Sequence, residues 1–100
     1  MPSHITSEPL STFTDFEKLA HARGFDTVLE RVWAPNTVLE AHTHDFSVWA
    51  QVSRGEMWLT HGGVTRHLRP HDQFELDALV PHEERYGEEG AAYWVARKNA

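Results

Sequence analysis

The sequence contains no cysteine, which excludes disulfides, thiolate ligands and cysteine nucleophiles together and leaves the redox compartment undetermined. Long apolar runs are missing as well. No stretch approaches the ~20 residues a membrane helix needs, and the N-terminus lacks the basic and apolar regions of a signal peptide. The expectation is a cytoplasmic protein with no membrane partner. Clustered positive charge is a third absence. A net charge of −6 without a Lys/Arg patch argues against nucleic acid and anionic lipid as partners. Internal repeats, linkers and low-complexity tracts are absent too. A chain of 100 residues is large enough for one core and too small for two.

Histidine is what the sequence has in excess, with eight in the chain. Two of them stand in Glu40-Ala41-His42-Thr43-His44-Asp45-Phe46, directly after the apolar pair Val38-Leu39. On a β-strand, side chains two apart share a face, so His42 and His44 read as a pair of metal ligands. His82 follows 38 residues after His44, in Val80-Pro81-His82, and is the third candidate. His4, His21, His61, His67 and His71 read as structural or exposed.

Along the chain, residues 1–10 are polar and carry Pro2 and Pro9, and read as a loose arm. Residues 11–100 read as one domain. Thr14-Asp15-Phe16-Glu17 fits a capping box with Thr14 as N-cap, so the spacing predicts a short helix over about 14–23. Its apolar stripe is Phe13, Phe16, Leu19 and Ala20, and Gly24 suits the stop. The stripe fits either the outside of a sheet or the end of a barrel. From Thr27 the period becomes two, the strand signature. Strands are expected over 27–33, from Val38 into the histidine pair, and over 48–52, the last ended by Arg54-Gly55. A hairpin is expected to join 56–60 to 64–68 through His61-Gly62-Gly63. Pro70-His71-Asp72 reads as a turn before Phe74 and Leu76. A second hairpin is expected to join 82–86 to 92–97 through Gly87-Glu88-Glu89-Gly90. The pattern is all-β, a small sandwich or barrel over about 27–97 after one short N-terminal helix.

These residues resemble a cupin, a double-stranded β-helix or jelly-roll barrel. The first cupin motif has glycine, five residues, His-x-His, three or four residues, glutamate, six residues and glycine. Here Asn36 stands in the first glycine position, followed by His42, His44, Val48 and Gly55. The second motif resembles Pro70-His71-Asp72-Gln73-Phe74 followed by Pro81-His82. The resemblance covers roughly residues 28–97. Asn36 and His71 replace glycines, which suits residue types enriched at positive φ. Val48 replaces the glutamate ligand, and Tyr86 occupies the asparagine-like position that ends the second motif.

The resemblance implies that His42, His44 and His82 converge in the barrel and hold one divalent transition metal ion. Three imidazoles leave positions open on Fe, Zn, Ni, Cu or Mn. Strand parity places Glu84 and Tyr86 on the face of His82, where they are the candidate catalytic residues. Glu84 either orients an imidazole, acts as a general base or pairs with an arginine at the rim. Tyr86 is expected to hydrogen-bond a bound oxygen, and Glu40 is a weaker substitute for the absent glutamate. Val48, Ala50, Val52, Met57, Leu59, Phe74 and Leu76 complete an apolar interior suited to a small-molecule ligand. Trp49 and Trp58 fall on the opposite parity and are expected outside the barrel, either at a homodimer interface or beneath the helix.

The function expected is a small metal-dependent cupin acting on a small organic molecule. It would be either a dioxygenase-type oxidative cleavage, as the resemblance suggests for three-histidine iron sites, or a Lewis-acid lyase or isomerase reaction. A non-catalytic small-molecule binding or sensing cupin module is the alternative. An inactive barrel used for assembly is a third option.

Overall fold

A computed structural model describes residues 8–99 of the chain. His4 and most of the arm expected over residues 1–10 lie outside that range. Where the arm enters it, Leu10 is pinned to the sheet. Its N–H donates to Gln51 Oε1 at 2.9 Å and its carbonyl accepts from Gln51 Nε2 at 2.8 Å.

The helix, α1, spans Phe13–Ala22 and starts earlier than the capping box suggests. Thr12, not Thr14, is the N-cap, its hydroxyl accepting from the Asp15 N–H at 3.1 Å. Both threonines have an acidic residue three positions on. The earlier start also brings Phe13 onto the helix, where its ring meets Trp94 edge-on at 6.2 Å. Gly24 follows at φ +90. No helix among the described residues is long and apolar enough to cross a membrane.

Six strands follow: β1 Thr27–Trp33, β2 Val38–His42, β3 Phe46–His61, β4 Val64–Leu68, β5 Gln73–Leu76 and β6 His82–Asn99. All pairings are antiparallel. Two of these strands are far longer than the sequence suggests. The expected strand end at Arg54-Gly55 and the expected hairpin at Gly87–Gly90 are both bends within continuous strands. β3 and β6 pair from Phe46↔Asn99 to Thr60↔Glu83, with irregularities between Val52 and Arg54 and between Gly55 and Met57, where residues 87–90 of β6 are skipped. An extra residue at a bulge bends the strand and switches which parity faces inward. Val48, Ala50 and Val52 therefore share the core with Met57 and Leu59. Gly55 and Gly90 make the bend possible. Both have φ near +74, and a Cβ on Gly55 would collide with the Gly90 carbonyl oxygen.

Bending divides the sheet into two four-stranded faces that share β3 and β6, in the orders β1-β6-β3-β5 and β2-β6-β3-β4. The β3–β4 hairpin forms as expected. Gly62 and Gly63, both at positive φ, link His61 to its partner Val64, the demand of a two-residue primed turn.

The seven expected interior residues all belong to the core between the faces. The outside of the first face carries a second core. Phe16, Ala20 and Phe25 close over Trp49 and Ala96, with the Phe16 and Trp49 rings 4.5 Å apart. Trp49 does point away from the barrel interior, but α1 covers it completely. It cannot serve an interface. Trp58 lies outside the second face, which no helix among the described residues covers. Its indole is stacked on His67 at 4.5 Å, and the Arg85 guanidinium lies over it at 4.0 Å.

Candidate metal centre

His42 and His82 reach the centre as a cross-strand pair. They face one another in the β2–β6 register, and side chains directly opposite on an antiparallel pair are close neighbours. His44 arrives differently. β2 ends at His42, so His44 stands in the connection to β3 and not on a strand with its partner. A loop contact positions it. The Leu79 N–H, held at φ +68, donates to the His44 carbonyl at 2.7 Å and ties this connection to the loop before His82. Strained backbone of this kind persists only where its surroundings hold it.

One ligand nitrogen from each of His42, His44 and His82 lies within 4.8 Å of the others. The ring centroids are 4.2 to 5.2 Å apart. Two tautomers follow from the surroundings. His42 Nδ1 lies 2.7 Å from the Glu40 carbonyl, and His82 Nδ1 lies 2.9 Å from the Val80 carbonyl. A carbonyl only accepts, so each Nδ1 carries a hydrogen, and in the neutral ring each Nε2 presents a lone pair. Backbone carbonyls orient metal-binding histidines in this way. His44 packs its ring flat on Phe46 at 4.8 Å. Burial, with His82 and His42 as neighbours, pushes its pKa below the ordinary histidine value and favours the neutral, ligating form.

Glu84 is buried beside the triad. Its Oε2 is 3.4 Å from His42 Nε2 and 3.4 Å from His82 Nε2. Its Oε1 accepts a short hydrogen bond from the Tyr86 hydroxyl and a long one, at 3.4 Å, from the Tyr93 hydroxyl. Burial, reinforced by the Glu84 carboxylate, raises the pKa of both phenols, that of Tyr86 strongly. They remain protonated donors.

The structure therefore gathers every expected site residue, though in altered relations. Tyr86 spends its hydroxyl on Glu84, and its ring stacks on Trp33 at 5.1 Å. Glu84 is an interior residue and not a rim residue. Glu40 is exposed, and its contribution to the triad is its backbone carbonyl. Val48 stays in the apolar core.

Sequence reading missed Tyr93, Arg31 and Arg97. The alternation Tyr93, Val95, Arg97 carried the signal. Tying it to the face of His82 required knowing that β6 runs unbroken through the glycines.

These groups line a cavity of about 450 Å³. A larger groove, of about 720 Å³, opens between the unpaired strands β4 and β5 and meets the cavity at Phe74 and Leu76. It brings a single histidine, His61, and no convergent ligand set. The centre is in the smaller cavity.

No protein-family model matches the sequence, and no curated protein sequence matches it. Solved structures do match. A structure of the DMSP lyases RdDddP and RnDddQII superposes with a TM-score of 0.67 at 19% identity, over 73% of this chain and 38% of that one. An RmlC-like cupin from Shewanella frigidimarina NCIMB 400 gives 0.66 at 20% identity, over 74% and 66%. Drosophila melanogaster CENP-C bound to CAL1 gives 0.63 at 15% identity, over 71% and 60%. The chain thus spans 38 to 66% of the length of these three structures. One of the three is of lyases and another is of a protein bound to a protein, so the shared fold alone fixes no function.

Proposed function

Because the chain has the cupin fold, we propose that it is a metal-dependent cupin in which His42, His44 and His82 hold one divalent transition metal ion for proton-transfer chemistry on a small organic molecule. One observation carries the reading. In the neutral rings His42 Nε2 and His82 Nε2 are acceptors, as is Glu84 Oε2, which stands 3.4 Å from each of them. Lone pairs turned onto one point favour a cation there, and three imidazoles beside a carboxylate offer a metal ion its ligands.

The donor set fits a borderline ion such as Zn, Fe, Ni, Cu or Mn, since neutral imidazole serves all of them. When bound, such an ion supplies Lewis acidity toward a substrate oxygen. The chain's own residues do the rest. Glu84 accepts a proton from the substrate through Oε2, the oxygen facing the triad, while Tyr86 and Tyr93 hold Oε1 and fix the carboxylate plane. The apolar walls keep water from competing for that proton. Elimination and isomerisation both need a general base beside the Lewis acid, a role open to Glu84, which favours the lyase or isomerase reading over oxidative cleavage. The likeness to DMSP lyases supports the same class of chemistry.

The proposal extends to a homodimer joined through the open face around Trp58 and Val38, which is 61% exposed. Sedimentation of wild type and Trp58→Glu tests that part, a monomer in both counting against it. The metal itself is tested by elemental analysis of purified wild type, His42→Ala and His82→Ala. Near one ion per chain in wild type, lost in both variants, is expected. Absence of metal from all three after reconstitution would remove the metalloenzyme and leave a binding module.

A further inference from the structure

The cavity that holds the triad also holds two arginines, Arg31 on β1 and Arg97 on β6. Both have the inward parity of their strands. Arg31 is paired in register with Tyr93, and Arg97 lies two residues beyond Val95. Both are partly buried, Arg31 over the Trp33 ring and Arg97 over the Phe46 ring, and a guanidinium drawn partly out of water gains from an anion that meets it.

The acids of the cavity do not fill that role. Glu84 gives one oxygen to two tyrosines and turns the other to the imidazoles. Glu40 is exposed at the edge. Arg97 Nε is buried and has no hydrogen-bond partner. An orphaned N–H donor inside a cavity marks the place of an acceptor that arrives from outside.

Their placement relative to the triad limits its size. The Phe46 ring stacks on His44 and lies 4.8 Å from the Arg97 guanidinium carbon. One small molecule can therefore span both ends. The walls between are apolar, with Leu39, Phe46, Val48, Phe74 and Leu76 among them. Charge points the same way. The two arginines balance the two glutamates, so a divalent ion on the triad leaves the cavity with positive charge to spare.

We infer that the substrate is a short organic acid, its carboxylate received by Arg97 with Arg31 in support and a second oxygen directed at the histidine triad. This rests on the metal reading given above. Arg97 and Arg31 are binding residues here and take no part in proton transfer. A guanidinium fork suits a carboxylate and a phosphate alike, so both anions belong in the test.

The experiment is a side-chain NMR titration of ¹⁵N-labelled, zinc-loaded protein, following the Arg97 Nε–H resonance, assigned by its loss in Arg97→Gln or, if that variant fails to fold, Arg97→Lys. Acetate and glycolate are added, then acetamide, glycolamide and inorganic phosphate. The resonance is expected to shift saturably with the acids, most strongly with glycolate, and not with the amides. In Arg31→Gln the half-saturating glycolate concentration should rise about tenfold, the equivalent of ~1.4 kcal/mol. Arg97 responding no more than the surface arginines, or equally to the amides, would overturn the inference, and a phosphate response matching glycolate would overturn its carboxylate assignment. Zinc content is measured on the same samples. A full zinc site with a silent Arg97 defeats the anion site alone. An empty zinc site with a responsive Arg97 defeats the metal reading alone.

Discussion

Tyr86 donates its hydroxyl to the carboxylate of Glu84, two residues earlier on the same strand and the same face. The bond takes one oxygen of a buried acid and leaves the other turned toward His42 and His82. Removing either partner should therefore be felt at the triad. Glu84→Gln is expected to lower metal affinity by about 10–100-fold, measured by competition with a chromophoric chelator. Tyr86→Phe leaves the carboxylate in place and should cost less. An unchanged affinity in Glu84→Gln would mean that the carboxylate does not face the ion. Turnover of any substrate accepted by the wild type should fall by about 10²–10⁴-fold in Glu84→Gln, the usual worth of a general base.

Tyr86 and Tyr93 are the only tyrosines of the chain, and both phenols have pKa values raised by burial first. The folded protein thus keeps protons that the unfolded chain loses once pH passes the ordinary value near 10. Stability is unaffected by these groups below that point and declines above it. Tyrosinate absorbance near 295 nm is expected to stay flat through about pH 10 and then to rise together with cooperative unfolding by circular dichroism. A smooth rise in the folded protein would show that the phenols reach solvent.

The glycines at positive φ are not equivalent. A Cβ on Gly55 collides with backbone of Gly90 and Ala91, whereas one on Gly62 meets nothing within 4 Å. Gly55→Ala should destabilise by about 3 kcal/mol or more, because both strain and overlap act there. Gly62→Ala should cost only about 1–2 kcal/mol, the left-handed conformation alone. Urea denaturation of the two variants checks the ordering, and equal losses would contradict the bend.

Phe16 fills the space between α1 and Trp49, and it is fully buried. Phe16→Ala should cost about 3–5 kcal/mol and shift tryptophan emission to the red as Trp49 is wetted. Thr12→Ala, which removes only the cap, should cost about 0.5–2 kcal/mol. A Thr14→Ala variant more damaging than Thr12→Ala would restore the later helix start.

Much of the centre was legible because ligand spacing is a local property of the chain. His42, His44 and His82 stand at motif intervals, and the alternation of His82, Glu84 and Tyr86 is that of a strand face. The long strands were not legible. Gly55 and the Gly87–Gly90 segment carry the residue types of turns, and only the β3–β6 pairing makes them bends. Tyr93, Arg31 and Arg97 were hidden for the same reason, since their facing depends on parity carried across those bends. Thr12 and Thr14 present equivalent local signals, and the packing of Phe13 on Trp94 distinguishes them.

The long pairing of β3 with β6 also sets how the chain acquires its structure. It joins residues 46–60 to residues 83–99, so neither face can close before distant parts of the polypeptide meet. Local hairpins contribute little beyond β3–β4. Folding is therefore governed by loop closure rather than by helix or hairpin formation, which places it on the millisecond-to-second timescale of barrels with non-local topology. His42 and His82 meet through a second non-local pairing, that of β2 with β6, and a metal ion that captured them early would act as a tether across that step.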